Sequence, residues 1–246
     1  MKGPFEVTAQ DSSSSARSAA IRTRHGVIET PAFAPVASQG TVKALLHDQV
    51  EKLGAQVIIV NAYHLYLRPG LEAIEKAGGV HGFISWEKPI LSDSGGFQIY
   101  SLSPLVKVTQ EGVKFSSHLD GARIFLRPEE VVDIQRVLGT DIMMALDYFL
   151  PFPTPKARLK EAVKITSLWA RRAKERLDEG KSTQQLWGIS QGSVFWDLRR
   201  QSIEDLLAVG FNGYALGGLG IGEPKVELME TLERADDLLP KNKPRY

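Results

Sequence analysis

With 30 lysine and arginine residues against 29 aspartates and glutamates, this 246-residue chain carries a net charge of only +1, so no overall field advertises a nucleic acid or a membrane surface as partner. It has no cysteine, which excludes disulfides and thiolate metal sites, and no stretch approaches the length of apolar sequence needed to span a bilayer. The opening Met1-Lys2-Gly3-Pro4 has no signal-peptide pattern, and a soluble cytoplasmic protein with local binding faces is the expectation. Candidates for such a basic face are Arg171-Arg172, Arg199-Arg200 and Lys241 to Arg245.

The small polar run Ser12 to Ser15 reads as a loop or ragged edge before the ordered body. Pro31 to Val36 is apolar and leads into Ala37-Ser38-Gln39-Gly40, the pattern of a strand entering a polar mouth. Thr41 is placed to cap a helix running to Leu53, closed by Gly54. Val57 to Val60 is a β-branched run of the kind buried on both faces of a parallel sheet, and it ends on Asn61. A short helix over Pro69 to Ala77 stops at Gly78-Gly79.

Next comes Ile90-Leu91-Ser92-Asp93-Ser94-Gly95-Gly96-Phe97-Gln98, a short strand ending on a carboxylate and a glycine pair. Residues 105–126 alternate as a β-hairpin excursion. Pro128 starts a helix with Val131, Ile134 and Leu138 on one face, and Asp141 to Leu146 is a further apolar strand ending on Asp147. Lys156 to Glu179 carries a long helical stripe, Leu186 to Ser190 is a strand ending on Gln191-Gly192, and a helix follows over about 195–208. Tyr214 to Leu216 ends on Gly217-Gly218, and a last helix over about 224–239 is expected to bury Leu228, Met229, Leu232, Ala235 and Leu239. Six strand-helix units imply a parallel sheet, doubly wound or barrel-like, with a site on the rim at the strand C-termini.

Several familiar patterns fail on context. Gly188-Ile189-Ser190-Gln191-Gly192 fits a nucleophile elbow, but all five histidines precede the serine, so no triad can follow in hydrolase order. The serine-protease reading of Asp93-Ser94-Gly95-Gly96 needs an all-β fold. Gly217 to Gly222 looks like a dinucleotide loop, yet Glu223 stands where the last glycine is required. His118 and Asp120 have no third ligand near them in sequence, and a hairpin hydrogen bond is their expected role. What remains is Asp93 and Asp147 on different strand ends, with Gln191, the Gly217-Gly218 backbone and the ring of Phe97. Acceptors for an amidine edge, donors for a carbonyl and an aromatic face together complement a guanine, the alternative being an aspartate pair that serves only as helix caps.

These residues resemble the tRNA-guanine transglycosylase family, which exchanges an anticodon guanine for a 7-deazaguanine in queuosine biosynthesis. The similarity runs from about residue 20 to the end, through His25 to Pro31, Gly40 to Lys43, Asn61 to Leu65, Asp93 to Gln98, Gly188 to Ser193, Gly217 to Leu219 and Gly222 to Pro224. The resemblance implies a (β/α)8 TIM-barrel type of α/β fold, here with about six of its eight units in a single incomplete domain. It implies Asp93 as the catalytic proton acceptor and base contact. Ser94, Gly95, Gly96, Asp147, Gln191, Gly218 and Leu219 would hold the base, and Phe97 would stack on it. Expected partners are tRNA, guanine or a 7-deazaguanine, and a possible homodimer, with no membrane.

Two departures stand out. Tyr148, Phe149 and Leu150 follow Asp147 where the family has an acidic and then a small residue. The family's nucleophilic aspartate and its zinc site of three cysteines and a histidine are expected beyond Tyr246, so within this chain no metal or other cofactor is expected. On that reading the chain by itself is an inactive base-binding portion of the enzyme, with a non-catalytic base- or RNA-binding subunit as the alternative. Ile221 stands where the family's users of the small aminomethyl-deazaguanine carry a branched aliphatic residue, so a small incoming base is expected.

Overall fold

The computed structural model describes residues 3–102 and 106–246. Among the described residues it divides into two compact units, the first formed by residues 3–95, 133–144 and 182–185 and the second by 96–102, 106–132, 145–181 and 186–246. Leu105, where the hairpin excursion was expected to begin, lies outside the described residues.

The first unit opens with strands β1 (Phe5–Gln10), β2 (Arg17–Thr23) and β3 (Gly26–Thr30), paired antiparallel in that order. Ser12 to Ser15 is a loop, one of the two readings expected, but it lies within the ordered body rather than before it. The serine run is the turn between β1 and β2, where Ser13 and Ser14 donate to Asp11 Oδ2 at 2.9 and 2.6 Å. Pro31 to Val36 is not a strand either. Two of its six residues are prolines, which donate nothing to a ladder, and it makes a single parallel bridge between Val36 and Ile59. Helix α1 spans only His47–Lys52, six residues later than Thr41 would start it, because Ala44 at φ 63° turns the chain out of helical geometry first. Gly54, at φ 85°, does close it.

Strand β4 (Ile58–Asn61) runs into α2 (Ala62–Leu67), followed by α3 (Leu71–Lys76), α4 (Val80–Ile84) and β5 (Ile90–Asp93). Helix α5 (Gly96–Leu102) and the antiparallel strands β6 (Lys107–Val108), β7 (Val113–Ser116) and β8 (Arg123–Leu126) belong to the second unit. Helix α6 (Pro128–Leu138) begins at its proline, where the Glu130 carboxylate accepts from Arg127 N at 2.7 Å as a cap. Strand β9 (Ile142–Met144) is parallel to β5, and β5 to β4, with Leu91 opposite Ile142 and Asn61 opposite Asp93. A buried polar network ties this sheet to α6: Ser92 Oγ donates to Gln135 Oε1 at 2.7 Å, and that same oxygen accepts from Met144 N at 3.1 Å. Ile58, Val60, Leu65, Ile74 and Ile90 form its apolar core.

In the second unit α7 (Lys156–Asp178) buries the expected stripe of Leu159, Val163, Thr166, Ala170, Ala173 and Leu177. Strand β10 (Gln185–Ser190), helix α8 (Trp196–Val209), strand β11 (Gly213–Leu216) and helix α9 (Lys225–Leu238) follow. β10 and β11 are parallel, with Ser190 opposite Leu216. In α9 Met229 is exposed, contrary to expectation, while Thr231 is buried because its hydroxyl donates back to Glu227 O at 2.7 Å. Five parallel strands, β4, β5, β9, β10 and β11, are thus each followed by a helix, an α/β arrangement of the (β/α) type. Among the described residues no helix is long and apolar enough to cross a membrane.

Candidate base-binding site

In the first unit the site is built on the C-terminal ends of β4 and β5. Their register sets Asn61 directly beside Asp93, and Asn61 Nδ2 donates to Asp93 Oδ2 at 3.2 Å. Asn61 Oδ1 meanwhile accepts from the backbone of Tyr63 at 3.0 Å and His64 at 3.4 Å, capping α2. Burial pushes the Asp93 carboxyl above its ordinary pKa, against the opposing pull of the Ser94 and Gly95 amides. Gly95 has φ 86°, and a Cβ there would lie 2.6 Å from that of Tyr63, so the turn after Asp93 admits only glycine. Ser94 is buried beside it.

In the second unit Gly96 is the buried first residue of α5, and Phe97 follows half-exposed on the same helix. Its ring meets Phe149 edge to face at 4.9 Å, and Tyr100 approaches Phe149 in the same way at 5.8 Å. Gly96, Tyr100, Asp147, Tyr148 and Phe149 are among the residues lining one small pocket of about 10 Å³. The aromatic segment after Asp147 is therefore the wall of a cavity.

Asp147 is held by Gln191, whose Nε2 donates to Asp147 Oδ2 at 2.6 Å, and Gln191 N is fixed in turn by Ser202 Oγ at 2.9 Å. The two glycines after β11 press on that amide. A Cβ at Gly217 would fall 2.7 Å from Gln191 Nε2, and one at Gly218, with φ 65°, would fall 2.5 Å from Gln191 Oε1. The backbone there approaches the amide as closely as glycine allows. Leu219 follows, half-buried. Carboxylate, amide and bare backbone thus converge within one unit, able to pair with a planar base edge.

Arg199 was read from sequence as part of an exposed basic face, and that is overturned. It is fully buried. Its Nη1 donates to Ser190 O at 2.8 Å and its Nη2 to Ser193 O at 3.0 Å and Gly217 O at 2.8 Å, so it ties the Gln191 segment to the glycine loop. Burial lowers its pKa to about 9, with Glu223 pulling the other way. Nothing in the local sequence separates it from its exposed neighbour Arg200; only the small-residue setting of Ser190, Gly192 and Gly217 hints at a long side chain filling the space. Of the other basic candidates, Arg172 forks on Glu129 at 2.7 and 2.8 Å and Arg245 donates to Asp236. Glu223 closes the glycine loop by accepting from Gly220 N and, at 2.9 Å, from Ile221 N. Asp120 Oδ1 accepts from Ala122 N at 3.1 Å in the turn before β8, the hairpin role expected of it.

The family model described as "Queuine tRNA-ribosyltransferase" matches residues 11–246. Among curated proteins, the queuine tRNA-ribosyltransferase of Thermodesulfovibrio yellowstonii is 49% identical over 231 residues, covering 94% of this chain and 60% of that protein. The protein of the same name from Nitratidesulfovibrio vulgaris is 48% identical over 99% of this chain and 64% of its own length. That of Solidesulfovibrio magneticus is 48% identical over 100% and 66%. The chain therefore spans less than two thirds of the length of these relatives.

Proposed function

Since the chain belongs to the queuine tRNA-ribosyltransferase family, we propose that it provides the base-recognition machinery of a tRNA-guanine transglycosylase, a pentosyltransferase that exchanges a tRNA guanine for a 7-deazaguanine. The observation that carries this reading is the Gln191–Asp147 pair at 2.6 Å with the Gly217-Gly218 backbone packed on the same amide. An acceptor carboxylate beside a donor amide, with the Gly218 backbone packed on that amide, presents the complement of a guanine edge, and the Phe97 ring offers a face on which it can stack. The setting of the protein is proposed to be the cytoplasm, with tRNA as macromolecular substrate and a homodimer as a possible assembly.

Exchange by double displacement needs one carboxylate that bonds to the ribose carbon and another that moves a proton. Asp93 is assigned the second role. Its raised pKa brings it nearer neutrality, where an acid can both take and return a proton. Ser94 and Gly95 hold its charged form through their backbone amides. The attacking carboxylate and the zinc implied by the resemblance are assigned to the part of the relatives outside the match. The family's donor set of three cysteines and a histidine has no counterpart here, since the chain contains no cysteine, and no step is drawn through a metal.

The incoming base is proposed to be small. Ile221 and Phe149 both add bulk near the glycine loop and Asp147, leaving little space for a cyclopentenediol substituent. Calorimetry with guanine and with an aminomethyl-deazaguanine should give binding that Asp147→Ala weakens by roughly 1–3 kcal/mol, the usual cost of an unpaired buried partner. Unchanged affinity would remove Asp147 from the site, and queuine binding as well as the smaller base would overturn the size assignment.

A further inference from the structure

A second cluster lies at the opposite ends of the parallel strands from Asn61 and Asp93. Asp141, immediately before β9, is buried with both carboxylate oxygens fixed. Oδ1 accepts from His25 N at 3.2 Å and lies 2.9 Å from His25 Nδ1, in the turn between β2 and β3. Oδ2 accepts from Ile90 N, the first residue of β5, at 2.9 Å and lies 3.3 Å from His81 Nε2 on α4. The two imidazoles stack with centroids 3.6 Å apart and planes 22° from parallel. His81 Nε2 is buried yet completes no well-aligned hydrogen bond.

We propose that His25, His81 and Asp141 form a binding site for a divalent transition metal of the zinc class, separate from the base pocket and from the cysteine-containing zinc site of the family. One nitrogen of each histidine and a carboxylate oxygen lie within 4.8 Å of one another. Ligands about 2.0–2.1 Å from a tetrahedral ion are themselves roughly 3.3 Å apart, so the spacing brackets a single ion. Three protein donors with His25 partly open to solvent leave a fourth position for water. The carboxylate donor is Asp141, buried just before β9. Its two backbone donors orient the carboxylate from behind, as outer partners do in metal sites. Binding replaces ring N–H contacts by metal bonds and opens the stack so that both lone pairs converge. It also replaces the poorly aligned contact of His81 Nε2 with Asp141 by a metal bond. The ion would join the β2–β3 turn and α4 to the starts of β5 and β9, so its effect is on stability rather than on chemistry at Asp93.

The test is cobalt(II) and zinc titration of the metal-stripped chain at pH 7.5. One equivalent of cobalt should give visible absorption of a four-coordinate nitrogen–oxygen site, without the sulfur charge-transfer band that a cysteine site would show. Zinc about 100-fold above its Kd should raise the melting temperature by several degrees. Both responses should vanish in His81→Gln, and in His25→Asn, which alters a partly exposed turn and is expected to fold even if His81→Gln does not. Absence of any response in the unaltered chain would overturn the proposal, as would a response that either variant leaves intact.

Discussion

Asn61 spends its whole side chain on three neighbours: its amide nitrogen donates to Asp93 at 3.2 Å, and its oxygen caps α2 through Tyr63 and His64. The carboxylate assigned to proton transfer is thereby oriented by a residue that also starts the helix beside it. Asn61→Ala should cost about 1 kcal/mol of stability through the lost cap and leave Asp93 without its side-chain donor. Melting temperature and base affinity measured by calorimetry should both fall; a change in stability with unaltered affinity would confine Asn61 to structure.

Asp93 itself should lower stability at neutral pH. A carboxyl whose folded pKa is raised binds its proton more tightly in the native state, so stability declines as pH rises from the unfolded value through the folded one. Asp93→Asn should remove that decline, making the protein more stable at pH 7 but no more so at pH 3. Equal gains at both pH values would show that charge burial is not the cause.

Gly218→Ala places a methyl 2.5 Å from Gln191 Oε1 at a backbone φ of 65°. The left-handed conformation costs about 1 kcal/mol for a residue with Cβ, and the amide must swing away from Asp147. Base affinity should fall by about tenfold or more if the amide leaves its place. Calorimetry beside a melting curve separates the two effects, and full affinity in the variant would mean that Gln191 does not set the base edge.

Arg199→Met should strand the carbonyls of Ser190, Ser193 and Gly217, costing about 3 kcal/mol or more and loosening the Gln191 segment with the glycine loop. Arg199→Lys should not restore stability, because one ammonium cannot reach acceptors spread around a guanidinium fork. Denaturant unfolding measures both, and near-native stability in the lysine variant would contradict this account.

Asp141 governs the acid limb. Its pKa, near 2 when folded, lies below the unfolded value, so its contribution is fully present above about pH 4 and is lost as pH falls through 2, an effect of roughly 2 kcal/mol. Asp141→Asn should flatten that limb in unfolding curves taken between pH 2 and 5. An unchanged limb would place the acid sensitivity elsewhere.

The sequence by itself determined the features that depend on near neighbours. The strand runs at Val57 to Val60 and Leu186 to Ser190, the helix starting at Pro128, the stripe of α7 and the glycines beside Asp93 and Gln191 are readable because periodicity and backbone freedom act over a few residues. Motif order then gave the family, which the 48–49% identities bear out. Tertiary structure decided what depends on partners distant in the chain. The N-terminal sheet exists because β2 finds a ladder on each side, and Pro31 to Val36 fails as a strand because its prolines cannot supply one. Arg199 is drawn into the interior only because carbonyls from Ser190, Ser193 and Gly217 meet around it. His25, His81 and Asp141 share one carboxylate although up to 116 positions separate them. Buried polar groups must find partners wherever the fold provides them, and local pattern carries no record of which distant residue that will be.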